Sequence, residues 1–332
     1  YVGADNAFRN DCIYLGAASL KAEAANYKST ITINGGTFEA KAQEYDQYWV
    51  LNVQDQFYAA GSDIVVKGGS YKNFNPANNK SEGANTNFVA EGYFATLVGD
   101  YYVVADAQVV ANAEELTTAV ENGAKKLYLM DGTYTFAKYP AGVELVGYGD
   151  NVVFDLQGKV YDVKGGDVAI ENVKLVFSNA NYKGFQHTNV ESYKNCTIVG
   201  QPFLYGNDVT FEGCTFEQTS ASAYNVWTYG AEAVKFVDCV FNCAGKSVLI
   251  YAEGSSNGQV ALFEGCTLNA SAPAEGKAAI EIDSSLIKGV YDITINDTTA
   301  TGFANGNVSG NSLWNNKKGD KTNITVDGVK VL

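Results

Sequence analysis

The sequence predicts an all-β fold: a right-handed parallel β-helix with one short N-terminal capping helix, preceded by a smaller β-helical or β module. Three observations predict it. A strand–corner–strand template recurs along the chain, the composition is that of a turn-rich β protein, and one helical stripe sits where a new stack of coils would begin.

Composition sets the bounds. The 332 residues suffice for one long solenoid or two domains. Apolar residues make up 46%, so a sizeable core can be buried. With 34 Gly, 4 Pro and 22 Tyr, and with Gly, Asn, Thr and Val crowded into short runs, the chain has the texture of many short strands joined by tight turns. Acids number 37 against 23 bases, of which one is an arginine, Arg9, and the net charge is -14. Nucleic acid is therefore not an expected partner, because its phosphates need clustered Lys and Arg. No apolar run approaches the roughly 18 residues of a membrane helix, so membrane insertion is not expected. No signal-peptide pattern opens the chain. Tyr1, Val2 and Gly3 read as the middle of an element, as in a fragment or a mature product.

The template is apolar, any, apolar, two turn residues, then a small or apolar residue, any, apolar. Ile31, Ile33, Gly36 and Phe38 fit it, as do Ile64, Val66, Gly69 and Tyr71. Asn73 to Val104 reads as a closing loop and hairpin, with Tyr101 to Val104 as the last strand. Residues 1–105 are therefore expected to be a β-rich module, the end of a preceding β-helix. Asn112 then caps a helix over Ala113 to Asn122. Leu116, Ala119 and Val120 form its apolar stripe, and Gly123 ends it. A strand from Lys126 to Met130 and the turn Asp131-Gly132-Thr133-Tyr134 follow. A solenoid needs such a cap over its first open coil, so a capped β-helix is placed at 106–332.

Beyond the cap the template repeats as Val168, Ile170, Val173 and Leu175; Glu191, Tyr193, Cys196 and Ile198, a weaker copy; Val209, Phe211, Cys214 and Phe216; and Val234, Phe236, Cys239 and Phe241. Ala261, Phe263, Cys266 and Leu268, then Ile293, Ile295, Thr298 and Ala300, then Ile324, Val326, Val329 and Val331 complete it. Each half alternates with period two, so each is a strand with one face inward. The central pairs, such as Glu171-Asn172, Glu212-Gly213 and Val237-Asp238, break the alternation. Gly, Asn and Asp best tolerate a left-handed corner. Steps between copies run from 18 residues (Glu191 to Val209) to 32 (Ala261 to Ile293). Such variation suits a solenoid whose loops leave from one corner.

Cys196, Cys214, Cys239 and Cys266 share one slot in successive copies. Stacked strands lie about 4.8 Å apart, so these thiols are expected to form an inward ladder of small apolar fillers. No Cys-x-x-Cys occurs, and thiols on one line cannot make a tetrahedron, so no metal is expected. Unpaired thiols fit folding in a reducing compartment better than a disulfide scaffold.

A further strand recurs about one edge away. Its copies contain Phe203-Leu204-Tyr205, Val226-Trp227-Thr228-Tyr229, Val248-Leu249-Ile250-Tyr251, Ile280-Glu281-Ile282 and Leu313-Trp314, with parallels at Ile13-Tyr14-Leu15 and Tyr48-Trp49-Val50. Alternation buries one set and exposes the other. Tyr205, Trp227, Tyr229, Tyr251 and Trp314 are the candidate ligand-binding residues, because flat apolar rings beside amides and acids suit a sugar chain. The competing reading is that these rings fill the core.

The helix, strand and Asp-Gly-Thr-Tyr sequence resembles the N-terminal cap of the pectin-lyase-like superfamily, and the resemblance covers 106–332 at the level of fold. Gly35-Gly36-Thr37-Phe38 and the run Asn87 to Tyr93 resemble repeats in surface proteins of gut Bacteroidota and in fibres of their phages. The second resemblance implies display, adhesion or virion decoration on a virion or cell surface. Two enzyme classes share the superfamily's fold. Pectate-type lyases pair calcium-binding acids with a basic Arg or Lys; no Arg remains in 106–332, although a Lys base is open. Polygalacturonase-type hydrolases carry Asn-Thr-Asp, Asp-Asp, Gly-His-Gly and Arg-Ile-Lys motifs, none of which occurs here. The single histidine, His187, excludes multi-His metal sites, and reads as a polar residue of a corner loop. Hydrolysis needs two placed carboxylates, and Glu253, Glu281 and Asp283 are the candidates. The expectation is a non-enzymatic display or adhesion protein, without cofactor, that contacts glycans or a host cell surface. Trimers are expected by analogy with β-helical fibres. The alternatives are a polysaccharide lyase or hydrolase of the same fold, and a purely structural virion decoration protein.

Overall fold

The computed structural model describes residues 11–16, 28–40, 49–156, 158–252, 258–283, 289–303, 311–317 and 321–332. Arg9, Tyr48 and Glu253 lie outside them. The chain forms two compact units, 1–109 and 110–332.

The larger unit is a parallel β-helix. Among the described residues its long sheet has eleven strands and its second sheet eight; from Lys126–Leu129 to Thr322–Val326 each strand of the long sheet pairs in parallel with that of the next coil. A coil enters the long sheet (Val209 and Phe211 in Asp208–Glu212), turns one corner into the second sheet (Phe216 in Thr215–Gln218), and reaches a third edge (Val226 in Tyr224–Trp227). The register stacks template positions on one another: Val209 pairs with Val234 and Phe211 with Phe236, which in turn pair with Ala261 and Phe263. Alternation then sends like residues inward in every coil. Tyr193, Phe211, Phe236 and Phe263 form one stacked file with ring centroids 4.7–5.4 Å apart, and Phe216 and Phe241 stack at 4.5 Å beside it. All belong to one continuous core.

The corners explain the paired turn residues. Asn172, Asn195, Gly213, Asp238, Gly265 and Asp297 all have φ between 46 and 64°. That is the left-handed region, which Gly, Asn and Asp enter at least cost. Exposed Asn195 isolates the effect, since its backbone φ is 50°. Asn195→Val is expected to cost about 1–2 kcal/mol, while Asn195→Gly should stay within a few tenths. Thermal unfolding of both variants checks this; equal melting temperatures would show that the corner carries no strain.

The thiol ladder also follows from the register. Cys196, Cys214, Cys239 and Cys266 are free and at most 1% exposed. Each Sγ donates to carbonyls of its own and the preceding coil, as Cys239 does to Val237 O (3.3 Å) and Phe211 O (3.5 Å). Cys243, past the strand, is also a buried free thiol, and burial pushes it up to about 11.

The helix Ala113–Glu121 covers the first coils. Leu116 and Ala119 join the core with Val110, Leu127 and Tyr134. Asn112 Oδ1 accepts from the Glu114 and Glu115 amides (3.1 and 2.9 Å), and Glu115 returns the favour by accepting from Ala111 N and Asn112 Nδ2 (both 2.8 Å). This reciprocal cap satisfies amides that helix geometry leaves orphaned.

The last template copy is a correction. Val326 and Val329 do not belong to successive strands of a coil; they pair across an antiparallel hairpin. Asp327 and Gly328 both have positive φ (48 and 78°), the geometry of a two-residue hairpin turn. Val329 and Val331 are consequently exposed.

The smaller unit pairs Thr30–Phe38 with Asp63–Lys72 in parallel, as the template implies. Its sheet then closes antiparallel: Tyr101–Ala105 pairs with both Asp63–Lys72 and Phe94–Val98. A one-turn helix, Asp55–Ala59, has no counterpart in the sequence reading.

Candidate functional site

The third edge of the larger unit carries the candidate residues. Its described strands include Tyr224–Trp227, Lys246–Ile250, Ile280–Ile282 and Trp314–Asn316, in that order, all parallel. Phe203 bridges to Trp227 from the preceding coil. Val226, Val248, Ile250, Ile280 and Ile282 join the core, so alternation turns their neighbours outward. One file pointing away from that core therefore reads Phe203, Trp227, Leu249, Glu281, Asn315, and of these all but Trp227 are buried. The parallel file, two residues on, reads Tyr205, Tyr229, Tyr251, Asp283, Lys317. Backbone bonds from Asp283 N to Ile250 O and from Lys317 N to Ile282 O continue that register.

The rings of four predicted residues meet on this face. Tyr229 and Tyr251 lie parallel, 6.2 Å apart with 3° between planes. Tyr205 meets Tyr229 edge-on at 5.3 Å, and Trp227 meets Tyr251 edge-on at 5.5 Å. Tyr182, which the sequence reading did not single out, adds a ring 5.2 Å from Tyr229 and is 49% exposed. Tyr205, Trp227, Tyr229 and Tyr251 are all half-buried. Trp227 serves as a floor: its Nε1 is buried without a hydrogen-bond acceptor, and its ring also packs on fully buried Phe203 at 4.7 Å. Trp314 does not join them. The register sets it opposite Ile280, in the inward file, and its ring packs against the core.

The acids sit at the far end of the same files. Glu281 is fully buried. Its carboxylate accepts from Ala278 N (2.8 Å), Asn315 Nδ2 (3.1 and 3.2 Å) and Lys277 Nζ (3.1 Å), with Lys317 Nζ at 3.3 Å. Lys317 also lies 3.8 Å from Asp283, whose side chain is 38% exposed. Burial opposes the charge of Lys277, but its side-chain contact with Lys317 and the Glu281 and Asp283 carboxylates together outweigh it and hold the ammonium above its usual value. A carboxylate so saturated has no lone pair left for proton transfer to a substrate. Glu281 thus anchors two lysines and is not arranged as a general acid or base. The third acid candidate, Glu253, falls outside the described residues.

His187 has φ 52° and lies in an exposed corner, where its Nδ1 is 2.9 Å from Asp162 Oδ1. Clefts of about 580 and 540 Å³ lie away from the aromatic face. The first is lined by corner residues such as Asn172 and Asn195, the second by the capping helix and Thr135–Ala141. Among the described residues no helix is long and apolar enough to cross a membrane.

Comparison of the chain with protein-family models, with curated proteins and with solved structures returned no match.

Proposed function

We propose that the chain is a non-enzymatic display or adhesion module that binds glycans on the outward face of its third edge. The observation that carries the reading is the convergence of Tyr205, Tyr229 and Tyr251, one per coil, over the Trp227 floor. Half-buried rings held by a rigid scaffold lose little entropy on binding and offer apolar faces and phenol hydroxyls together. The pectin-lyase-like resemblance fits this reading, since that architecture presents long faces to extended polysaccharides. Placement on a cell or virion surface belongs to the same proposal. The saturation of Glu281 counts against hydrolysis at this face, and the net charge of -14 counts against acidic substrates.

The test is a glycan array followed by titration calorimetry on the best binder. Tyr229→Ala and Tyr251→Ala should each weaken binding on the order of tenfold or more, as expected for losing one stacked anchor. The circular dichroism spectrum should not change. Unaltered affinity in both variants would remove the aromatic face from the binding surface. Release of reducing or unsaturated sugar ends would replace the adhesion reading with an enzymatic one.

A further inference from the structure

We infer that the ligand of this face is a neutral oligosaccharide several residues long, lying along the solenoid axis, and that Asp283 and Lys317 bind its hydroxyl groups beyond the tyrosines. The inference rests on the glycan-binding reading above and assigns that site its substrate class, its direction and its polar end.

Direction and length come from the register. Tyr205, Tyr229, Tyr251, Asp283 and Lys317 occupy one outward file across five coils. Four inter-coil steps at about 4.8 Å each make a track on the order of 19 Å. A single sugar would cover a fraction of it. A chain laid along the axis meets rings first and an ionic cluster next, whereas a chain laid along one strand would leave the file after a single ring.

The substrate class comes from charge. Among the described residues Lys277 and Lys317 are interlocked with Glu281 and Asp283, two cations against two anions, so these four side chains offer no net charge to a polyanion. The surrounding chain at -14 repels one. Within the cluster, Glu281 is sealed, but the side chains of Asp283 and Lys317 keep 38% and 32% exposure. An accepting carboxylate beside a donating ammonium suits the paired hydroxyls of a neutral sugar, which both accept and donate.

The experiment titrates the protein with neutral glucan, mannan and xylan oligosaccharides of graded length and with polyuronates, at low and high salt. Affinity for the neutral series should climb with length, on the order of tenfold from disaccharide to plateau, and should vary little with salt. Asp283→Asn and Lys317→Gln should each weaken long oligosaccharides while leaving the short ones, held by the tyrosines, unchanged. Tighter, salt-sensitive binding of polyuronates would overturn the inference and leave glycan binding standing. So would affinity that is flat with length, or equal loss for short and long chains in the two variants. Absence of binding to every glycan would overturn the inference and the proposed function together.

Discussion

Phe236→Ala is expected to destabilise the larger unit by about 3–5 kcal/mol, the usual cost of emptying a packed aromatic site. Phe236 is fully buried at the crossing of two ring files. It stacks on Phe211 at 5.4 Å and on Phe263 at 5.0 Å, and meets Phe216 and Phe241 edge-on at 5.9 and 5.3 Å. The cavity cannot readily collapse, because the coils on either side are fixed by ladders of parallel hydrogen bonds. In a solenoid each coil contacts its neighbours only, so the defect weakens two interfaces at once. Phe236→Leu, which keeps most of the volume, should cost clearly less. Val260, in the same strand as Phe263 but 54% exposed, provides the control: Val260→Ala should stay within about 0.5 kcal/mol. Urea unfolding followed by circular dichroism measures all three. A Phe236→Ala midpoint no lower than that of Val260→Ala would mean the stacked file is not what holds the coils together.

The sequence made the coil legible because the physics that builds it is local and periodic. Phe211, Cys214 and Phe216 are two strands and a corner whatever lies around them, and register repeats them in the next coil. The corner was legible for the same reason: few residues enter the left-handed region, and Asn195, Gly213 and Asp238 are three of them. Val329 and Val331 misled because an apolar alternation has the same form in a stacked strand and in a returning hairpin arm. Asp327-Gly328 was the available signal, since Asp-Gly favours the two-residue hairpin over the one-residue corner.

The site was legible in part. The recurrence of Tyr205, Tyr229 and Tyr251 brought their rings together in the sequence reading as in the structure, because residues at like positions of successive coils must line up. Trp314 failed because alternation fixes which residues share a face but not which face is outward. Only the register with Ile280 decides that. Tyr182 sits in a loop, outside any periodic pattern, and nothing in the sequence could bring it to Tyr229. Glu281 read as a candidate catalytic carboxylate. Its burial depends on Lys277, Asn315 and Lys317, the last two from the next coil, and such long-range pairing leaves no local trace.

Glu191 carries the second large effect, and it concerns pH. The template places it in the inward file, between Val168 and Val209 in neighbouring coils, where an apolar residue belongs. It is 1% exposed, and its carboxyl accepts from Thr188 Oγ1 and Tyr193 OH, both at 2.6 Å. Tyr139, Tyr193 and Cys196 are the titratable groups packed around it. No cation is among them. Burial pushes the Glu191 carboxyl up to about 7, against the two hydroxyl donors, which favour its ionised form. The sign follows by linkage. Below about 4.5 the folded and unfolded states both hold the proton, and the group contributes no pH dependence. Between about 4.5 and 7 the unfolded chain releases the proton while the folded one keeps it, so stability falls as pH rises. At about 1.4 kcal/mol per pH unit the loss approaches ~3 kcal/mol by neutrality and then levels off. Glu191→Gln keeps the shape and an acceptor for the hydroxyls but cannot ionise. Its stability relative to the wild type should therefore improve by ~3 kcal/mol between pH 4.5 and 7.5, and remain constant above that. Urea unfolding of both proteins across this range gives the difference directly. Parallel curves would mean that Glu191 ionises inside the core at its ordinary value, which requires water or a cation to reach it there.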